Sequence, residues 1–164
     1  MLLALAGALF GARLGAHTIR GEEPRRAREA YEMLETGDFV VPRQQGQVYT
    51  SRPPLQNWTI AAAAQLLGGL SAAAVRLPAV LATVATVGLI YWYARGFVSP
   101  TAALAAGAAY ATMLQVLELG RLAETEATLT LLIAASLLVW HRGYQNGWPA
   151  AATWTAGYAL AALA

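Results

Sequence analysis

The chain has 164 residues, of which 57% are apolar and only 12% charged, with 11 basic residues against 9 acidic ones and no cysteine. That balance excludes a soluble domain, whose surface would need far more charge, and describes a helical membrane protein. The lack of cysteine excludes disulfides and thiolate metal sites.

Every basic residue is arginine, which with abundant Ala and Gly suggests a GC-rich, bacterial coding sequence. All acids fall into two windows, Glu22 to Asp38 and Glu118 to Glu126. In chain order, the run from Leu2 predicts a first span over residues 2–18, short and with Arg13 snorkelling from it. It lacks the basic start and cleavage site of a signal peptide. A polar loop over residues 19–72 follows. Within it, Leu55 to Leu70 carries Gln56, Asn57, Trp58 and Gln65 and reads as an amphipathic helix lying at the interface, because a crossing helix would bury those amides without partners.

Further spans are predicted over residues 73–95, 101–118, 126–141 and 148–164, each near the roughly 20 residues a bilayer requires. Turns at Arg95 to Pro100 and His141 to Pro149 separate them, with Tyr91, Trp92, Tyr93, Trp140 and Trp148 placed where amphipathic rings prefer the headgroup layer. The chain stops inside the last apolar run and reads as a piece of a larger protein. The expected fold is therefore an all-α integral membrane protein of about five transmembrane helices, with juxtamembrane amphipathic helices in its first loop.

Topology decides what the acidic windows can do. If Leu55 to Leu70 lies flat, one hairpin separates the windows and both emerge on one face; if it crosses, they are on opposite faces. Counting arginines places the first loop, with Arg20, Arg25, Arg26, Arg28, Arg43 and Arg52, in the cytoplasm.

Taken residue by residue, much of this charge has a plain structural reading. Arg25 with Glu29 and Arg28 with Glu32 are the i,i+4 pairs of any surface helix, and Glu29, Glu32 and Glu35 read as solvated charges. Asp38 after Gly37 reads as a turn residue, and Pro53 and Pro54 set the direction of the helix that follows. Gly68, Gly69 and Gly107 read as packing surfaces. Glu126 opens an apolar run, where an ionised group is costly unless it faces protein or a water-filled cavity, and Arg121 could pair with Glu124 or Glu126.

Four stretches together point further: Glu22-Glu23 through Pro42, Tyr49-Thr-Ser51-Arg52-Pro53-Pro54-Leu55 with Trp58, Arg76-Leu-Pro78, and Arg121-Leu-Ala-Glu-Thr-Glu126. In order and spacing they resemble the polyprenyl-phosphate-sugar glycosyltransferases, the GT-C membrane enzymes that include bacterial aminoarabinose transferase and protein O-mannosyltransferases. The resemblance covers almost the whole chain, which corresponds to the N-terminal third or so of such an enzyme, and implies a partial GT-C fold.

It also implies roles. Glu22 and Glu23 align with the family's Asp-Glu pair, with Glu22 as the base acting on the acceptor and Glu23 and Glu126 as supporting acids. Arg52 stands where the family has a Lys that holds the donor phosphate, a task its planar fork can perform, with Arg121 as a further phosphate contact. The reaction implied is inverting: a carboxylate takes the acceptor's proton while the acceptor attacks the anomeric carbon opposite a phosphate leaving group. The donor would be a polyprenyl-phosphate sugar, the acceptor a lipid, glycan or protein, and the place the external face of a bacterial inner membrane. The cofactor stays open, with a divalent metal the candidate; Ser51 replaces the Glu that helps bind it in aminoarabinose transferases, which argues against the same metal site.

Other chemistries lack their signatures. There is no phosphate-cradling Gly loop, zinc-protease motif or Ser-His-Asp set, and the slight excess of Arg suits lipid headgroups and a lipid-linked phosphate rather than nucleic acid. The competing expectation is a non-catalytic membrane subunit or a transporter fragment, whose ionisable groups would lie near the bilayer midplane.

Overall fold

The computed structural model describes residues 1–49, 53–152 and 154–155. Its elements in order are α1 (Leu2–Gly11), α2 (Glu23–Thr36), β1 (Arg43–Gln44), β2 (Gln47–Val48), α3 (Leu55–Leu66), α4 (Ala72–Ala94), α5 (Pro100–Ala111), α6 (Leu114–Leu119) and α7 (Thr125–Gln145). The chain is helical again from residue 150.

Helix α4 is the organising element. Its start is fixed by Ser71, whose Oγ accepts the backbone N–H of Ala74 at 3.2 Å. It packs against α1, α3, α5 and α7. Small residues make this possible: Ala74, Ala79, Ala82 and Ala103 are buried and allow close backbone approach where lipid offers no hydrophobic drive. Larger side chains, Phe10, Val80 and Val87, fill the contact between α1 and α4. Among the described residues α4 is the one helix long and apolar enough to cross a membrane.

Three expectations change. The first helix ends at Gly11 rather than near residue 18; residues 12–17 turn instead, with Arg13 in a left-handed conformation (φ 54°). The expected span over 101–118 is interrupted, because Thr112 closes α5 by donating its Oγ1 to the carbonyls of Ala108 and Ala109, and Met113 is extended before α6 begins. Glu29 and Glu32 are not solvated. They are buried on the face of α2 that meets α3 and the hairpin.

That face explains the amides of α3. Asn57 Nδ2 donates to Glu29 Oε2 at 2.7 Å, beside the buried Arg26 guanidinium at 3.1 Å from the same oxygen. Gln56 Oε1 accepts the Thr128 hydroxyl of α7 at 2.8 Å. With 12 residues, α3 is only about 18 Å long, too short for a bilayer core of about 30 Å. Lying against α2 and α4, it gives its polar residues protein partners rather than lipid.

The hairpin β1–β2 turns through Gln45 (φ 55°) and Gly46 (φ 78°), the left-handed pair that a two-residue loop requires. The Glu32 carboxylate accepts both turn N–H groups, Gln45 at 2.7 Å and Gly46 at 3.1 Å. At the end of α2, Gly37 takes the left-handed C-terminal position (φ 72°), and Asp38 Oδ1 accepts the N–H groups of Val40 and Val41. Asp38 is thus the turn residue its sequence suggests.

Candidate functional site

The two acidic windows meet beside the N-terminal half of α4. Glu23, fully buried in the first turn of α2, sits at the centre. Its Oε1 accepts Arg76 Nε at 2.7 Å and its Oε2 accepts Arg76 Nη2 at 2.7 Å, a two-pronged pair. The same carboxylate accepts the backbone N–H of Arg20 at 2.9 Å and, from the second window, the backbone N–H of Ala123 at 3.1 Å. Burial alone would push its carboxyl upward. The hydrogen bonds from Arg76 and from those two N–H groups prevail and hold it below the usual carboxylate range.

Arg76 is equally occupied. Its remaining donors reach the carbonyls of Leu14 (2.9 Å), His17 (3.0 Å) and Thr18 (2.9 Å), the segment that links α1 to α2. One buried side chain of α4 therefore fixes the residues that lead into the first acidic window and, through Glu23, the loop that carries the second. Sequence reasoning took Arg76 only as part of a motif. The available signal was an arginine five residues inside an apolar helix, which needs a partner.

Glu22, next in the chain, is half-exposed at the N-terminus of α2 and pairs with Arg25. Glu124 immediately precedes α7 and Glu126 lies in its first turn, where the helix dipole favours negative charge. Glu124 approaches the first window so closely that a Cβ on Gly21, itself left-handed (φ 60°), would lie 3.3 Å from its Oε1. Its carboxyl is pushed up, first by burial, then by Glu126, which also hydrogen-bonds to it, and by Glu22 and Glu23. Crowded carboxylates relieve repulsion by keeping a proton.

The structure thus brings Glu22, Glu23, Glu124 and Glu126 together. Arg121 does not join them as an ion pair with Glu124 or Glu126: its Nη2 donates to the Ala12 carbonyl at 2.6 Å, closing the loop against the end of α1. Arg52 and Ser51 lie outside the described residues. Among the described residues no three His, Asp or Glu side chains are arranged to hold a metal ion. His17 contributes only its carbonyl here, while His141 bonds Tyr93 at the far end of α4 (2.7 Å).

Two cavities flank the cluster. One of about 290 Å³ lies between α4, α6 and the start of α7, with Glu126, Gln115 and Tyr110 among its walls. The other, about 450 Å³, is an apolar groove formed by α3, α4 and α7, lined by Ala62, Leu66, Leu77, Leu81 and Leu131.

Residues 51–164 match the family described as dolichyl-phosphate-mannose-protein mannosyltransferase. The undecaprenyl phosphate-α-4-amino-4-deoxy-L-arabinose arabinosyl transferase of Edwardsiella ictaluri is 35% identical over 144 residues, 87% of this chain and 26% of that protein. The protein of the same name from Aeromonas salmonicida is 33% identical over the same shares. ArnT from Cupriavidus metallidurans has the same fold over 84% of this chain and 26% of its own (TM-score 0.78, 24% identity) in the apo state. Bound to undecaprenyl phosphate it superposes with a TM-score of 0.74, at 23% identity over 85% of this chain and 26% of its own. The chain spans about a quarter of the length of the curated relatives it matches, 26%.

Proposed function

The chain belongs to the dolichyl-phosphate-mannose-protein mannosyltransferase family, and from that premise we propose that it forms the N-terminal part of a membrane glycosyltransferase that takes a sugar from a polyprenyl-phosphate donor. The observation that carries the reading is the bond from the Ala123 N–H to Glu23, which joins windows 100 residues apart into one acidic site. The family and its arabinosyl transferase relatives favour this over a transporter fragment or a non-catalytic subunit. In this reading α1, the broken α5–α6 limb, α7 and the segment from residue 148 also cross the membrane, and the acidic cluster faces the exterior.

Glu22 is the base. It is the carboxylate of its pair that stays accessible, whereas Glu23 is buried and committed to Arg76. Its contact with Arg25 opens as the acceptor arrives, and Glu22 then takes the acceptor's hydroxyl or amine proton. The acceptor's lone pair forms the new bond to the anomeric carbon, the bond from that carbon to the phosphate oxygen breaks on the opposite side, and configuration inverts. Polyprenyl phosphate leaves with its charge offset by Arg52, so no general acid is needed. The apolar groove between α3 and α4 suits the isoprenoid chain. Glu23 acts as a positioning residue, holding the second window against the first.

The test uses the full-length protein in proteoliposomes with polyprenyl-phosphate sugars. Glu22→Gln should lower kcat by 100-fold or more, on the order of what general-base removal costs, with little change in KM for the donor. Retention of near wild-type kcat would remove Glu22 from the role of base.

A further inference from the structure

We infer that the cavity of about 290 Å³ beside Glu126 is the subsite for the sugar ring of the donor, an inference that rests on the transferase reading above. Its walls are of two kinds. Glu126, Gln115 and Thr130 offer hydrogen-bonding groups, while Met113, Val116 and Leu119 offer apolar surface. A pyranose is amphiphilic in the same way, with hydroxyls at its edge and C–H groups on its faces. The volume lies just below the roughly 300–1,000 Å³ range of drug-sized ligand pockets, a size that suits a single ring.

A second observation concerns the backbone. The interruption between α5 and α6 at Thr112 and Met113 is unfavourable in a membrane unless the non-helical backbone is buried in protein or lines a cavity. It borders this cavity, of which Met113 is a lining residue. The opposite wall is held in place by Gly120. Its carbonyl accepts the Thr83 hydroxyl at 2.8 Å, and a Cβ there would lie 2.5 Å from the Val116 carbonyl oxygen and 3.0 Å from Thr83. The loop is thereby drawn onto α4, with α6 and the first turn of α7 standing around the space.

The cavity also lies beside the acidic cluster. Glu126 in its wall is two residues from Glu124, whose Oε1 would lie 3.3 Å from a Cβ on Gly21, next to Glu22 and Glu23. A ring lodged under Glu126 brings its anomeric carbon toward the side of the cluster where Glu22 waits. The groove between α3, α4 and α7 is mostly apolar, with Thr59 and Thr128 as its polar side chains and no charged group, so it suits a ring less well than this cavity.

The experiment compares two polyprenyl-phosphate donors that differ at one ring hydroxyl, with bare polyprenyl phosphate as competitor, in the full-length protein in proteoliposomes. Gln115→Leu should change the ratio of kcat/KM between the donors by about tenfold or more. Ala127→Phe, which fills the cavity, should raise KM for sugar-bearing donors by a similar factor while inhibition by bare polyprenyl phosphate stays unchanged. A wild type that transfers while both variants keep its KM and its donor ratio overturns the subsite and leaves the transferase reading standing. A wild type that transfers from no polyprenyl-phosphate sugar overturns that reading, and the subsite with it. Should Ala127→Phe lose the competitor too, the substitution has disturbed the fold, and Gln115→Leu, on the exposed side of α6, decides alone.

Discussion

At the scale of single residues, Arg76 and Glu23 show how charge is kept inside an apolar helix. The pair is buried on both sides, so each ion depends on the other. Removing one partner leaves the other uncompensated, and Arg76→Met should destabilise the protein by about 3–5 kcal/mol, read from detergent-solubilised thermal unfolding. The double change Arg76→Met with Glu23→Leu should recover part of that loss; recovery of none would mean that the carbonyl contacts to Leu14, His17 and Thr18 carry the stabilisation instead. The cluster also gives stability two opposite pH dependences. Glu23 binds its proton less tightly when folded, so its contribution is present above the usual carboxylate range and is lost as pH falls through the depressed value. Glu124 binds its proton more tightly when folded, so stability is lost as pH rises through the carboxylate range toward the raised value. Glu124→Gln, which cannot ionise, should raise the unfolding temperature at pH 7 and leave it unchanged near pH 4. No gain at pH 7 would show that Glu124 ionises as readily in the folded protein as in the unfolded chain.

At the scale of elements, what the sequence made legible depended on whether the decisive partner was nearby in the chain. Helix α4 was readable nearly to the residue, expected over 73–95 and found at Ala72–Ala94, because apolar length, Ser71 and the Arg95–Pro100 turn are local signals. The burial of Glu29 and Glu32 was not readable. The pattern of i,i+4 pairs on α2 is the same whether its acidic face meets water or, as here, Asn57 and a hairpin turn. The break after α5 escaped because Thr112 and Met113 are not residue types that end a helix by themselves: Thr112 turns its hydroxyl back onto the Ala108 and Ala109 carbonyls and Met113 is extended, choices that composition does not reveal. Two glycines separate the strict requirement from the lenient one. Gly120→Ala drives a Cβ into backbone, the Val116 carbonyl at 2.5 Å, and should cost about 1–3 kcal/mol. Gly96→Ala meets only the tip of Arg142, 1.4 Å from Nη1, and that flexible side chain can swing away, so the change should be milder. Thermal unfolding of the two variants side by side would decide, and equal losses would mean that Arg142, held over Trp92 and Phe97, cannot yield.

At the scale of the whole molecule, the acidic windows meet at the same end of α4, with a short α3 packed on α2 and the α4 to α6 hairpin linking them, which is the arrangement expected if Leu55 to Leu70 lies flat. The amides of Gln56 and Asn57 pointed to the flat reading from the sequence, but their partners, Thr128 for Gln56 Oε1 and Glu29 for Asn57 Nδ2, are distant in the chain and were not readable. The candidate acids were legible as types at positions, whereas Arg76, which holds two of their segments together, was not. Because the chain has no cysteine, single cysteines at the exposed Gly46 and Glu118 can be labelled in intact cells with an impermeant thiol reagent. Both should react if the site faces outward. Labelling of neither, with both reacting after lysis, would turn the site to the cytoplasm, as the count of loop arginines suggests.

The buried pair also has an order in time. Glu23 leaves the ribosome 53 residues before Arg76, and Ala123 follows last. The carboxylate is therefore already made when the guanidinium of the nascent α4 must leave water, so the arginine has a waiting counter-ion at the moment of its burial. Exchanging the two, with Arg at 23 and Glu at 76, would keep the charges and reverse this sequence, leaving an acid to be buried on α4 while its partner adopts a different reach and geometry. The position of each charge along the chain is in this sense a schedule as well as an address.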